Sequence, residues 1–323
     1  MKTIRSIVAL LAVLVLASCE KEIEFNGTIT EPLVVVNSYL IPDSAIRVML
    51  SKSRFFLDSN DDFERVNTAT VSIVVNNQYK ETLQFIEKGL YTGTYKPQPG
   101  DSVALLVRVP GKDDIRSSAI LPSRANIQSV DTISRKLVSR IAVHYSDEGV
   151  SAWMSEYDLE MGIRIKDPAA EKNFYRLSIL YNEVYEKDTN QIINKYYVYF
   201  NVQGVSNETS GGSLISMIGG EEQKEFQVFS DELFDGKDIV IRFKMKQYLF
   251  EIPEGYENPT PTNISYLVNL QSLSHPSYLY VKTKEASEDV VNELFSEPVQ
   301  IYSNIENGIG IFGALTNNKW VVR

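Results

Sequence analysis

A ten-residue apolar segment followed closely by the chain's one cysteine is the feature that most constrains this sequence. The segment runs from Ile7 to Leu16 and is preceded by the basic residues Lys2 and Arg5. As a helix it would be roughly 15 Å long, about half of the ~30 Å hydrocarbon layer of a membrane. It is therefore too short to span a bilayer, and it has the form of the apolar core of a secretory signal peptide.

The residues that follow, Leu16-Ala17-Ser18-Cys19, resemble a bacterial lipobox. Small residues before the cleavage point fit a narrow peptidase site, and the Cys19 thiol would receive the diacylglycerol. A cysteine buried in a core is the alternative, but the position directly after the apolar segment favours lipidation. We therefore predict a signal peptide over residues 1–18 and a lipid anchor in the membrane at Cys19, which is stable when more than one acyl chain is attached.

Residues 19–30 are predicted to form a lipidated acidic tether, which begins with Glu20-Lys21-Glu22-Ile23-Glu24. Residue 20 is not aspartate, so the usual signal that retains lipoproteins in the inner membrane is missing. The acidic run resembles the surface-export tether of Bacteroidetes lipoproteins, and a solvated linker without an export role is the alternative. We predict an outer-membrane protein that faces the cell exterior, and the choice between the surface and the periplasmic face stays open.

Charge and cysteine content exclude several classes of function. The chain has 32 basic and 42 acidic residues. Removal of residues 1–18 leaves 30 bases against 42 acids, a net charge near −12. Such an acidic chain without a basic, aromatic-interleaved patch does not bind nucleic acid. One cysteine cannot form an internal disulfide or a multi-cysteine metal site, and no motif indicates a cofactor.

The residues after the tether are rich in short strands. Runs of β-branched and aromatic residues are separated by proline, glycine and asparagine, and Asn76-Asn77 marks a hairpin because asparagine tolerates the positive φ of a tight turn. Seven short strands without a helix between them predict an immunoglobulin-like or prealbumin-like β-sandwich over residues 31–125. The strands are predicted within residues 33–36, 46–50, 71–75, 78–85, 89–95, 103–109 and 115–121.

Residues 126–323 are predicted to form a larger β-rich sandwich or barrel-like domain with longer strands. Residues 174–185 are expected to pair with 195–202 across the polar stretch 186–194. In residues 239–246 apolar and basic side chains alternate, which predicts a half-buried strand with a basic face. The apolar members are Ile241, Phe243 and Met245, and the basic members are Arg242, Lys244 and Lys246.

Helices are predicted only near the C-terminus, and there are one or two of them. Ser274 can cap a helix that starts at His275-Pro276. Ser287 can cap a second one, with two acids in its first turn. Residues 206–220 and 253–263 are predicted to be long loops at the open end of the domain, where binding surfaces commonly lie.

Several motifs together resemble one protein family. The most specific are Glu297-Pro298-Val299, residues 302–305 and residues 308–313, and others lie in residues 31–37, 66–71, 89–91, 119–122 and 174–177. From about residue 20 onward the pattern is similar to Bacteroidetes lipoproteins known as domain of unknown function four-two-four-nine. The resemblance implies an accessory role beside a TonB-dependent outer-membrane receptor, since members are often encoded next to one. It implies no catalytic residues.

The spacing Gly308-x-Gly310-x-x-Gly313 matches the dinucleotide-binding fingerprint, whose glycines let the backbone approach a pyrophosphate. That fingerprint also needs a following helix, a second strand and an acid about 20 residues on. Ten residues follow in this sequence. We therefore expect these glycines to allow tight backbone packing or bulges in a terminal strand.

Enzyme motifs such as G-x-S-x-G, H-E-x-x-H and C-x-x-C are absent, and we assign no catalytic residue. His144 and His275 could each act as a base, but structural or surface roles fit them better. Glycoside hydrolysis needs only two carboxylates about 5–9.5 Å apart. Glu221-Glu222 and Asp231-Glu232 are candidates by position alone, although adjacent acids in polar loops are usually just solvated.

Two further groups of residues have a binding and a structural interpretation. The side-chain oxygens of Asp58 to Glu64 lie close together in sequence and could bind calcium. The segment does not match an EF-hand loop, however, because Phe63 stands at the glycine position and Ala69 at the final glutamate position. We interpret the segment as a hydrated loop and assign no metal.

Six tyrosines suit a protein or sugar surface, and we expect half of them in the core or in cross-strand pairs. They are Tyr175, Tyr181, Tyr185, Tyr196, Tyr197 and Tyr199.

Two functional hypotheses from different classes follow. The first is a non-enzymatic surface lipoprotein that docks on a TonB-dependent transporter and helps to capture its ligand during nutrient uptake. The second is a surface hydrolase of polysaccharide or peptide that uses a carboxylate pair. A structural cell-envelope adhesin is a third hypothesis. The sequence leaves open whether the ligand is a small molecule, a glycan or a peptide.

Overall fold

The computed structural model describes residues 31–55, 62–144, 151–169, 171–187, 190–203, 205, 224–251, 263–291 and 299–323. Within them the protein is mainly β, as predicted. Cys19, the signal peptide and the tether lie outside this part, so those assignments stay predictions. The elements in chain order are β1 (Val34–Leu40), β2 (Arg47–Lys52), β3 (Thr70–Val75), β4 (Gln78–Thr82), β5 (Gln84–Glu87), β6 (Leu90–Thr92), β7 (Ser102–Arg108), β8 (Ile115–Ile120), β9 (Asn126–His144), β10 (Ser151–Lys166), β11 (Phe174–Lys187), β12 (Asn190–Tyr197), β13 (Phe200–Gln203), β14 (Phe226–Ser230), β15 (Asp238–Glu251), β16 (Asn263–Leu273), α1 (His275–Val291) and β17 (Ile309–Val322).

These strands form three sheets. The large sheet has the order β12-β11-β16-β17-β1-β2-β6-β5, and β14 pairs with β11 beside this path. The N-terminal sheet has the order β4-β3-β7-β8, and the C-terminal sheet has the order β13-β15-β10-β9. No sheet closes on itself in the described residues, so the second half is sandwich-like rather than barrel-like.

The first core lies between the N-terminal sheet and the β1–β2–β6 part of the large sheet. Because side chains of a strand alternate between its two faces, Val71, Ile73 and Val75 of β3 all point inward and are buried. They pair with alternate, buried residues of β7. The large sheet contributes Val34, Val36, Leu40, Val48, Leu50 and Tyr91.

The second core lies between the C-terminal sheet and the β11–β16 part of the large sheet. The predicted alternation of β15 is confirmed, since Ile241, Phe243 and Met245 are buried while the basic side chains lie on the other face. The large sheet contributes Leu177, Ile179, Tyr181, Val268 and Leu270 to the same core.

Strand β17 joins the two halves. It pairs in parallel with β1, where Val36 lies opposite Gly310, and antiparallel with β16, where Leu273 lies opposite Leu315. Its Phe312 belongs to the first core, and Val322 packs against the second. One continuous sheet therefore spans both predicted domains, and the division at residues 125 and 126 stays a prediction.

The hairpin at Asn76-Asn77 is present, with φ of 50° and 64° at the two residues. The strand predicted over residues 78–85, however, is two strands in different sheets. Between them the side chain of Leu83 is buried, and its N–H donates to the Val71 carbonyl at 2.8 Å. The buried Leu83 and its hydrogen bond hold the chain at the point where it passes from β4 in the N-terminal sheet to β5 in the large sheet.

The predicted pairing of residues 174–185 with 195–202 is confirmed in part, since residues 180–182 lie opposite residues 195–197. Strand β11 pairs with β12 as far as Lys187 opposite Asn190, so the connection is much shorter than the polar stretch 186–194. Residues 200–203 form β13, which pairs with β15 in the C-terminal sheet. The long hairpin of β9 and β10 was not predicted, because most side chains of β9 are exposed and show no apolar alternation.

The described residues contain one helix, α1, near the C-terminus. Ser287 lies inside α1, so it does not cap a second helix. A membrane-spanning helix would have to be longer and more apolar than any helix in the described part of the chain. The predicted loop over residues 206–220 lies outside the described residues, as does the predicted loop over residues 253–263 except for Asn263, which begins β16.

Candidate ligand-binding site

Sequence candidates that are far apart in the chain lie together in one cavity. His275 is the first residue of α1, and Asp231-Glu232 directly follows β14. All three line a cavity of about 430 Å³, which we call the helix-end cavity. Its volume lies within the range of ligand pockets, about 300–1,000 Å³. The complete lining is Lys172, Phe174, Ser230, Asp231, Glu232, His275, Tyr278, Leu279 and Lys282.

Hydrogen bonds to β17 fix the position at which α1 begins. The hydroxyl of Ser274, the predicted cap, accepts from the N–H of Ser277 at 3.4 Å, as an N-cap residue does. The Ser277 hydroxyl donates to the Ala314 carbonyl at 3.0 Å. Gly313 allows this approach, because a Cβ there would lie 2.3 Å from the Ser277 Oγ. The first turn of α1 is thereby held at the cavity.

Aromatic rings form one wall of the helix-end cavity. Phe174, the first residue of β11, stacks on His275 with ring centroids 5.0 Å apart and on Tyr278 with centroids 4.6 Å apart. The planes are inclined by 23° and 27°, respectively. Tyr278 is buried, whereas His275 is exposed. An aromatic surface is therefore accessible from the cavity mouth.

The polar wall carries as many cations as anions, since two lysines and two acids line the cavity. Asp231 is only 2% exposed. The backbone N–H and the side-chain amide of Asn173 both donate to its Oδ2, at 2.8 and 3.1 Å. The Ser230 hydroxyl is buried, and no group in the described part of the chain forms a hydrogen bond with it. This hydroxyl is the one unsatisfied buried polar atom among the described residues that line the cavity.

Asp231 also belongs to an acidic cluster with Asp167 and Asp235, whose carboxylate oxygens lie within 4.8 Å of one another. Tyr175 and the N–H of Gly236 donate to the two oxygens of Asp167 at 2.6 and 3.0 Å. Burial raises the pKa of Asp167, and the neighbouring charges of Asp231 and Asp235 raise it further. Carboxylates are calcium ligands, but a cluster of acids does not by itself establish a cation site. We assign no metal to this cluster.

The other acidic and histidine candidates do not join the helix-end cavity. His144 is the exposed last residue of β9 and is not among the lining residues. Glu221-Glu222 and residues 58–61 of the proposed calcium loop lie outside the described residues. The cavity therefore retains one of the two sequence-predicted acid pairs.

The interpretation of the glycine motif as close backbone packing is confirmed. Gly310 has φ +114°, and a Cβ there would lie 2.1 Å from the Val36 carbonyl oxygen of β1. Gly308 approaches the Val34 carbonyl in the same way, with a Cβ distance of 2.8 Å. These glycines allow β17 to pair with β1.

The tyrosines divide between core and surface as expected. Tyr175 and Tyr181 are buried, and Tyr196 lies opposite Tyr181 with ring centroids 4.9 Å apart. Tyr199 is 55% exposed. The Tyr185 side chain lies outside the described part. None of the described tyrosines of this group lines the helix-end cavity.

The basic face of β15 is paired with acids of β10. Lys246 contacts Glu156 at 2.9 Å and Asp158 at 2.7 Å. Arg242 contacts Glu160 at 3.3 Å. Two of the three cations on this face, Arg242 and Lys246, are therefore paired with acids of the neighbouring strand.

Most of the cavity lining was missed by sequence reasoning. Lys172, Phe174, Ser230, Tyr278 and Lys282 come from three segments that are distant in sequence. Residues 174–177 carry a strand pattern, and Ser274 to Ser277 carry a capping pattern. Neither local pattern shows that the segments meet.

Comparisons with known proteins assign the chain to a family but find no match among curated proteins. A family model described as "Domain of unknown function (DUF4249)" matches residues 20–319, and the comparison with curated proteins finds no match. Among solved structures, the chain is similar to the "Putative membrane anchored protein from Corynebacterium diphtheriae" at 7% identity and a TM-score of 0.21. The match covers 75% of this chain and 54% of that one, so it spans about half the length of that structure.

Proposed function

Because the chain belongs to the DUF4249 family, whose description gives no function, we propose one from its residues: a ligand-capture lipoprotein of the outer membrane. In this proposal Cys19 carries the lipid, the folded part faces the cell exterior, and the partner is a TonB-dependent transporter. The protein binds the ligand without converting it and delivers it for uptake.

The observation that carries the capture role is the helix-end cavity. It is open at His275, has the size of a ligand pocket, and combines an aromatic wall with a polar wall. Aromatic side chains combined with convergent polar groups fix the orientation of a ligand in a binding pocket, and this lining supplies both. The α1 cap and β17 hold its walls in place.

The anchor supports the choice of partner. Residues 19–30, fully extended, span at most about 40 Å, and β1 begins soon after them at Val34. A lipid on Cys19 would therefore hold the folded part close to the membrane surface, where a transporter also lies. The family resemblance to proteins encoded beside TonB-dependent receptors points to the same partner.

Co-purification tests this proposal. The tagged full-length protein, isolated from solubilised outer membranes of its own organism, should bring down a TonB-dependent receptor that mass spectrometry identifies. The matched control is Cys19→Ser, which should leave the membrane fraction and lose the receptor. If the wild-type protein copurifies with no receptor, or if Cys19→Ser stays fully membrane-bound, the proposal is wrong.

The hydrolase hypothesis has less support from the cavity. Asp231 is held by two donors from Asn173, and Asp167, the acid with the raised pKa, does not line the cavity. Incubation of the full-length protein with polysaccharides and peptides should give no products. Turnover that disappears in Asp231→Asn would establish the hydrolase instead.

A further inference from the structure

We propose that the helix-end cavity binds a sugar ring of a neutral oligosaccharide. This inference rests on the proposed capture role and names the chemical class of the captured ligand. Three features of the lining carry it: the aromatic wall, the balance of charges and the unpartnered hydroxyl of Ser230.

The aromatic wall suits the face of a sugar ring. An aromatic ring has a negative face that attracts weakly positive C–H groups, and one face of a pyranose presents such groups. Phe174, stacked on His275 and Tyr278, holds the wall rigid, and His275 keeps it accessible. A flat apolar patch beside polar groups matches a molecule with C–H faces and hydroxyl edges.

The balance of charges selects against strongly charged ligands. Lys172 and Lys282 line the cavity together with Asp231 and Glu232. A phosphate would meet two carboxylates, and a polycation would meet two ammonium groups, so neither gains net Coulomb energy. A hydroxyl can donate to a carboxylate and accept from an ammonium group. A neutral polyhydroxylated molecule can therefore form hydrogen bonds with all four charged groups.

The Ser230 hydroxyl supplies an independent indication of a ligand. It is 4% exposed, lines the cavity, and has no hydrogen-bond partner among the described residues. A buried polar group without a partner is destabilising, and native proteins contain few of them. The oxygen itself has almost no accessible surface, so a sugar hydroxyl would satisfy it as donor or as acceptor after a small shift of the Ser230 side chain.

Calorimetric titration tests the ligand class. The full-length lipoprotein, purified in lauryldimethylamine oxide because this detergent has no sugar headgroup, is titrated with maltohexaose, cellohexaose, xylohexaose and mannohexaose, and separately with inorganic phosphate. We expect saturable binding of at least one hexasaccharide, with a Kd between about 10 µM and 1 mM, and no binding of phosphate. Binding of phosphate alone, or of none of these probes, overturns the proposal.

Substitutions place the binding in the cavity. His275→Ala and Glu232→Gln should each weaken hexasaccharide binding at least about tenfold, which is 1.4 kcal/mol. His144→Ala is the matched control, since it removes the chain's other histidine, and it should bind like the wild type. Unchanged affinity in both cavity variants would place the sugar elsewhere and overturn the assignment.

Ser230→Ala separates a ligand role from a structural role. Because the hydroxyl has no described partner, its removal should leave the Tm equal to or above that of the wild type while it weakens binding. A lower Tm with unchanged affinity would show that Ser230 acts structurally. Receptor co-purification needs no sugar, so failure of sugar binding and failure of the proposed function are separate results.

Discussion

At the scale of single residues, the Tyr91 hydroxyl shows how a buried polar group is satisfied. Tyr91 is 1% exposed, donates to the Val66 carbonyl at 3.0 Å, and accepts from the Ala69 N–H at 3.0 Å. Tyr91→Phe leaves both backbone groups unpaired, so we expect a loss of about 1–3 kcal/mol in unfolding free energy. Urea unfolding measures it.

Tyr79→Phe is the matched control for that substitution. Tyr79 is 67% exposed, and its hydroxyl bonds only to Thr82 at 3.1 Å among the contacts of the described residues. Water can replace this partner, so the cost should stay below about 0.5 kcal/mol. Equal costs for the two tyrosines would contradict the assigned role of the Tyr91 hydroxyl.

The acidic cluster predicts that Asp235→Asn increases the free energy of unfolding, and that the increase depends on pH. Burial and like charges raise the pKa of Asp167, so the folded protein keeps this proton to higher pH than the unfolded chain does. Stability therefore falls as pH rises from the unfolded pKa through the folded pKa, and the loss is complete above it. Removing the exposed charge of Asp235 should add a few tenths of a kcal/mol at pH about 7.

The increase in unfolding free energy from Asp235→Asn should vanish at pH about 3, because Asp167 is then protonated in both the folded and the unfolded state. Urea unfolding at the two pH values checks this. Glu87→Gln, which removes an exposed acid of β5 outside the cluster, should show no such pH-dependent gain. An equal gain in both variants would mean that net charge, not the cluster, is responsible.

At the scale of elements, Gly310 determines whether β17 can pair with β1. Its φ is +114°, and a Cβ would lie 2.1 Å from the Val36 carbonyl oxygen. Gly310→Ala adds a backbone clash to the cost of the positive φ, which is about 1–3 kcal/mol by itself. We expect a total loss of more than about 3 kcal/mol in unfolding free energy, measured by urea unfolding.

Gly100→Ala isolates the conformational part of that cost. Gly100 also has a positive φ, +92°, but a Cβ there meets nothing within 4 Å. Its substitution should cost only about 1–3 kcal/mol. If both alanines cost the same, the approach of β17 to β1 does not depend on the missing side chain.

At the scale of the whole molecule, β17 couples the two cores. Phe312 is fully buried in the first core, on the strand that also pairs with β16 of the second half. Phe312→Ala should lower the free energy of unfolding by about 3–5 kcal/mol. Because β17 pairs on both sides, amide hydrogen exchange should become faster in β1 and in β16, as mass spectrometry can measure.

Trp320→Ala is the control on the same strand. Trp320 lies opposite Val268 and is 37% exposed, so its removal should cost less and should accelerate exchange near β16 alone. If Phe312→Ala accelerates exchange only in β1, the two halves are energetically independent and the shared sheet does not couple them.

The sequence by itself determined the local features of this protein. The alternation in β3 and β15, the Asn76-Asn77 turn and the Ser274 cap follow from interactions within a few residues, which a local pattern records. The role of the glycine motif could also be predicted from the sequence, because two backbones approach closely only where no Cβ lies between them.

Only the tertiary structure decided which strands share a sheet and where the site lies. Residues 78–87 divide between two sheets at a single buried leucine, and β9 carries no apolar alternation because most of its side chains face solvent. The helix-end cavity joins His275 to Asp231-Glu232 and to Phe174 through the packing of α1, β14 and β11. These contacts link residues that are distant in the chain, and their energies depend on the whole packed arrangement, which no local pattern contains.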